Sequence, residues 1–174
     1  MLRAMRDELA RSWTTLKAQP TPPYFLSYQI TEQHSVTVSG SFGAITESRE
    51  RRRRALDVDL RVGDYAFDNT HPLRGGVRSF GSIFGGGRVD IPTDDDPTAI
   101  RAALWYATDR RYKAAVEQLT WVKTNAEVGV AAEDLSPDFS AEPRESYTEA
   151  VVHSSVERRA WEEKLRRYTA PFAR

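Results

Sequence analysis

"RERRRRALDVDLRVGDYAFDNT", running from Arg49 to Thr70, decides how this chain is read. Four consecutive arginines, Arg51, Arg52, Arg53 and Arg54, lead into an alternating segment. Leu56, Val58, Leu60 and Val62 face one way, and Ala55, Asp57, Asp59 and Arg61 face the other. A period of two with one polar face is the pattern of an antiparallel strand that is wet on one side. Gly63 should end it, because glycine weakens a strand and marks a bend or bulge. The arginines have two readings. A nucleic-acid arm wants a basic surplus, since each phosphate contact takes a cation. Here Lys+Arg and Asp+Glu are both 25, so the formal charge is zero. Glu47, Glu50, Asp57 and Asp59 flank the run, and arginines paired with those acids on a wet strand face fit the balance better.

Upstream, "YFLSYQITE" alternates Tyr24, Leu26, Tyr28 and Ile30 with polar or outward positions. "SVTVSGSFGAITES" places Val36 and Val38 on a strand, a turn at residues 40–43 and then a return strand. Further upstream, Leu2, Met5, Leu9, Trp13 and Leu16 recur at helical spacing over residues 2–17. Arg3, Arg6, Asp7, Glu8 and Arg11 are assigned to its solvated face, and "AQPTPPY" ends it, because proline lacks the amide hydrogen.

Downstream, "HPLRGGVRSFGSIFGGGRVDIP" reads as a long loop, with "GRVDIP" as a short strand. A second, long helix starts at "DDDPTAIRAALW" with Asp96 as N-cap and Pro97 as first helical residue. It runs to about residue 123, with Ile100, Leu104, Ala107, Ala115, Leu119 and Val122 inward. Residues 126–153 carry Pro, Ser and acid without a period, the composition of an extended linker. "SSVERRAWEEKLRRY" closes the chain as a short helix, with Ser154 and Glu157 as a capping box and Trp161, Leu165 and Tyr168 as one stripe. The fold class is therefore α+β: an antiparallel sheet flanked by an N-terminal helix and a long second helix. The domain reading is 1–125 as the α+β body, 126–153 as linker and 154–174 as a short terminal helix.

The composition removes several chemistries. There is no cysteine, which excludes disulfides, thiolate catalysis and Cys-ligated zinc. No apolar run approaches the ~18 residues of a membrane span, and the opening lacks the apolar core of a signal peptide, so a cytoplasmic protein is expected. The histidines His34, His71 and His153 are isolated in sequence and read as surface or loop side chains. "PTDDDP" lacks the glycine and closing glutamate of a calcium loop, and helix capping accounts for its aspartates. The glycines at 75–76 and 85–87 are not followed by the Lys-Ser/Thr pair and helix of a phosphate loop. No metal or cofactor ligands are assigned within this chain.

Three phrases bring a known family into view. "PYFLSYQITE", "SGSFGAITESRERRRRALDVDLRVGDYAFDNT" and "DLSPDFSAEP" with "ERRAWEEKLRRYTAPF" resemble the N-terminal part of the TldD/PmbA family, over nearly the whole of the chain from Leu2 to Phe172. "RVGDYAFDNT" and "DFSAEP" are the most specific pieces. The resemblance implies a relative of zinc metallopeptidases, historically called modulators of DNA gyrase, that act on small or unfolded peptides as dimers around a cavity. It implies an α+β N-terminal domain. In active members zinc is carried by a His-Glu-x-x-x-His motif in the C-terminal part. This chain has no such motif, so no catalytic or metal residue is carried over, and the resemblance implies the N-terminal part of a longer protein.

The function expected on that basis is non-catalytic: assembly, as a homo- or heterodimer with a family member, and guidance of peptide substrate. The candidate partner or chamber loop comprises Gly75, Gly76, Phe80, Phe84 and Arg88. Two rival readings follow from the residues alone. One is a stand-alone module binding an acidic partner or nucleic acid through the four arginines. The other is a small hydrolase using Asp64, Asp68 and His71, just past the strand end.

Overall fold

The computed structural model describes residues 1–72, 88–126, 136–143, 145–150, 152 and 155–173. The architecture is α+β, a three-stranded antiparallel sheet in the order β1-β2-β3 with helices at the start, middle and end of the chain. Helix α1 spans Leu2–Lys17, β1 Pro23–Ser41, β2 Ala44–Val62, β3 Val89–Asp90, α2 Pro97–Ala126 and α3 Arg158–Thr169, followed by a 3-10 turn, Ala170–Ala173. The strand segments expected separately fuse into two strands of 19 residues each. The chain forms two compact units: Met1–Thr31 with Arg54–Pro143, and Glu32–Arg53 with Arg144–Arg174.

The first unit holds the core. Leu56, Leu60 and Val62 of β2 are fully buried, as their alternation requires. Leu56 joins Ala4 of α1, Ile91, and Ile100, Leu104 and Ala107 of α2 in one cluster. Leu60 and Val62 join Leu26, Ala115 and Leu119 in a second, against which Leu9, Trp13 and Leu16 pack. Every position assigned to the inward face of α2 is buried. Asp96 caps that helix, its Oδ1 accepting from the amides of Thr98 at 2.7 Å and Ala99 at 3.3 Å. β3 pairs with β2 through Ala55↔Asp90 and Leu56↔Val89.

Two charges lie deeper than their polarity suggests, although Arg54 is in step with Leu56, Leu60 and Val62. Glu8, assigned to the solvated face of α1, is 2% exposed. Its carboxylate accepts from Arg11 Nε at 2.8 Å, Ser12 Oγ at 3.2 Å and Arg101 Nε at 3.4 Å. A buried carboxylate needs such partners, because an unpaired one costs several kcal/mol (roughly 3–5 on losing its partner). Arg54 is likewise 2% exposed. Its guanidinium donates to the carbonyls of Pro92 and Asp94 at 3.2 and 3.3 Å and to Asp95 Oδ1 at 2.9 Å, tying β2 to the turn that enters α2. Tyr28 donates its hydroxyl to Thr108 Oγ1 at 2.6 Å, since that hydroxyl's own proton goes to the Leu104 carbonyl.

The second unit contains the hairpin tip and α3. Phe42 and Gly43 connect β1 to β2 with φ of 51° and 78°. Positive φ at both central residues is the turn whose twist matches a two-residue hairpin, and it sits within the turn expected at 40–43. The Gly43 amide donates to Thr169 Oγ1 at 2.9 Å, and Ser48 Oγ donates to Glu162. No described residue of this unit is fully buried. Glu157 occupies the N-cap position of α3 and makes no side-chain cap bond, so the capping box does not form from it. Ser154 lies outside the described residues, as does His153. Trp161 and Tyr168 of the expected stripe are about half exposed, at 49% and 56%.

The arginine run is divided by this geometry. Arg52 binds Glu32 at 2.7 Å, Arg54 is buried on Asp95, and Arg49 lies 3.2 Å from Glu47. Glu50 instead bonds His34, at 2.7 Å. The flanking acids do take up charge, though the partners of Arg52 and Arg54 come from distant sequence.

Candidate functional site

The end of β2 builds a densely bonded loop in the first unit. Gly63 has φ of 108°, and a Cβ there would lie 2.5 Å from the Phe67 carbonyl oxygen, so only glycine fits this reversal. The chain then turns on Asp64, whose Oδ1 accepts from the amides of Ala66 and Phe67, both at 2.9 Å. Asn69 completes the loop as a surrogate strand partner. Its amide donates to the Val62 carbonyl at 3.1 Å, and its Oδ1 accepts from the Val62 amide at 2.9 Å.

These bonds bring Asp68 under the sheet end, where it is 0% exposed. Oδ2 accepts from Tyr24 OH at 2.6 Å and Arg61 at 3.0 Å; Oδ1 accepts from the Thr70 amide at 2.5 Å and the Thr70 hydroxyl at 2.7 Å. Burial alone pushes an acid up, but the donors from Tyr24, Thr70 and Arg61 outweigh it and hold Asp68 below the ordinary carboxylate value. Tyr24 moves the other way. Burial first, then its bond to Asp68, raise the phenol well above its ordinary value. Arg61, expected on the wet face of β2, is only 17% exposed at its side chain and lies beside Asp68.

A segment far along the chain completes the cluster. Asp138 accepts the Asp68 amide at 2.8 Å and bonds His71 Nδ1 at 2.8 and 3.0 Å. The Phe139 amide donates to the Tyr65 carbonyl at 3.2 Å. Its ring meets Phe25 at 4.9 Å, Tyr65 at 6.1 Å and Tyr24 at 6.3 Å, with the Arg61 guanidinium 4.1 Å from its centroid. Residues 136–143, which read as linker, therefore include an anchored pair and belong to the first unit. His71 is correspondingly less open than a surface histidine, 18% exposed at its side chain and tilted against Phe67 with ring centroids 4.4 Å apart.

Asp64, Asp68 and His71 do share one loop, but each is committed to positioning. Asp64 holds two amides, Asp68 accepts four hydrogen bonds, and His71 Nδ1 is tied to Asp138. The nearby hydroxyls of Tyr24 and Thr70 both give their protons to Asp68. Among the described residues no group of three His, Asp or Glu side chains converges as a metal site, and His71 and Asp138 bond each other; this donor set does not fit a zinc ion.

Of the loop named from sequence, Gly75, Gly76, Phe80 and Phe84 lie outside the described residues, and Arg88 is exposed just before β3. Spacing does not reveal the participation of Tyr24, Arg61, Asn69, Asp138 and Phe139. The one signal is that "RVGDYAFDNT" and "DFSAEP" stand out as phrases, without any indication that they meet. A separate shallow cavity of about 410 Å³ is lined by Ser27, Gln29, Asp57, Asp59 and Arg111. Among the described residues no helix is long and apolar enough to cross a membrane. Compared with protein-family models, curated proteins and solved structures, the chain matches none.

Proposed function

We propose that this chain is a non-catalytic N-terminal domain of a TldD/PmbA-like, metallopeptidase-related protein, serving assembly and the guidance of peptide substrate. The observation that supports it most is the meeting of the two most family-like phrases. Residues of "RVGDYAFDNT" and "DFSAEP" interlock through Asp68, His71, Asp138 and Phe139. Their polar groups are engaged in holding backbone, which is the use expected of a scaffold. Zinc chemistry, on this reading, belongs to a His-Glu-x-x-x-His motif outside this sequence. Among the described residues β1 is an edge strand of the sheet, and its outer side offers main-chain groups to an extended peptide.

The test is direct. The purified chain should hydrolyse no unfolded peptide and keep no stoichiometric zinc after a chelator wash; hydrolysis or retained zinc would sink the reading. Size-exclusion chromatography with light scattering, alone and mixed with a family member, tests the assembly half. The alternative module, binding nucleic acid or an acidic partner through the arginines, has less support because Arg52 and Arg54 already meet acids. Salt-dependent retention on DNA at near-physiological salt would revive it.

A further inference from the structure

The segment that docks at the end of β2 is buried over two residues only. Asp138 and Phe139 are partly covered, while Ser136, Pro137, Ser140, Ala141, Glu142 and Pro143 are exposed. It has no helix or strand of its own. Its contacts are those a short linear peptide makes. The carboxylate takes a ring nitrogen and a main-chain amide, the amide of the next residue reaches a carbonyl, and the phenyl ring enters an aromatic cup capped by a guanidinium.

The loop that presents the site is held by bonds of its own, while the His71 ring and the Asp68 amide bond Asp138 itself. Asp64 fixes the turn, Asn69 pairs with Val62, and Asp68 gathers Tyr24, Arg61 and Thr70. None of these bonds involves residues 136–143. That loop is thus pre-organised, and a pre-organised surface keeps affinity that a collapsing one would lose to ordering.

We propose that Tyr24, Phe25, Arg61, Tyr65, His71 and the Asp68 amide form a recognition site for an acidic–aromatic dipeptide, Asp-Phe, which the chain's own Asp138–Phe139 fills in cis. The geometry stands by itself; its use in guiding substrate rests on the function proposed above. A tethered occupant competes at an effective concentration in the millimolar range, so an external peptide gains entry only when the tethered one is weakened or outcompeted.

The experiment is binding in trans. The double variant D138A/F139A is titrated calorimetrically with acetyl-Ser-Pro-Asp-Phe-Ser-Ala-amide and, as control, the same peptide with Ala-Ala at the central pair. Saturable binding of the first, at least tenfold tighter than the control and tenfold tighter than to the wild-type chain, is expected, with a rise in the variant's Tm. A folded, cooperatively melting variant that ignores the peptide overturns the proposal. Should the variant not fold, hydrogen exchange of the wild-type chain decides. The Phe139 amide should exchange through local opening, at least tenfold faster than that of Leu104 in the core. Equal protection would make the segment part of the core and overturn the proposal. Neither result bears on peptide hydrolysis or zinc retention, so the two readings fail separately.

Discussion

Asp68 shows how one side chain organises a loop. With four donors on its two oxygens it is held ionised below the ordinary carboxylate range, so its contribution is complete above the unfolded value near pH ~4 and is lost as pH falls through the lower folded value. Asp68→Asn should cost about 3 kcal/mol, because it leaves Arg61 without its buried partner. It should also flatten the fall of the urea midpoint below about pH 4. An unchanged acid limb would mean that other carboxylates set it. Tyr24 supplies the alkaline counterpart. Its raised phenol contributes below the ordinary value of ~10 and loses that contribution as pH rises through the folded one. Tyr28, Tyr112 and Tyr147 are also raised, so spectrophotometric titration at alkaline pH should count one fewer late tyrosine in Tyr24→Phe than in the wild-type chain.

At the scale of elements, α2 is the part on which both core clusters rest. Leu104 is 0% exposed, and Leu104→Ala should cost about 2–5 kcal/mol in denaturant melts with cooperativity retained. Arg54 has a different task, joining β2 to the turn before α2 by donating to the Pro92 and Asp94 carbonyls. These two residues also mark where sequence is informative. The α2 cap, its inward face, the alternation of β2 and the break at Gly63 are all legible, because each is written in local spacing. Glu8 and Arg54 are not, because a charge is assigned to the wet side even where, as at Arg54, the period of two continues the buried face, and their partners Arg101 and Asp95 lie 93 and 41 positions away. Asp138 and Phe139 are hidden for a related reason. A docked segment without regular structure has no period, and its burial depends on a surface made elsewhere in the chain. The same rule misplaces Arg61, since that segment covers part of the strand face on which it lies.

At the scale of the molecule, stability is unevenly distributed. The first unit contains both buried clusters, while no described residue of the second is fully buried. Local opening free energy follows buried contact, so the amides of α3 should be the least protected of the helical amides in hydrogen exchange. Protection of α3 equal to that of α2 would contradict this.

The long return from Asp68 to Asp138 also sets an order of events. Their bond spans 70 positions, and joining such distant residues costs chain entropy before any contact offsets it. The cluster of Leu104 with Ala4 and Leu56 also joins distant residues, but its members lie on helices and a strand, whereas the docked segment has no regular structure, so the Asp-Phe pair should settle after the rate-limiting barrier. In a chevron plot, Phe139→Ala should then leave the refolding arm in place and raise the unfolding arm, whereas Leu104→Ala should move both. The anchored pair is, in kinetic terms, a brake on unfolding that takes no part in finding the fold.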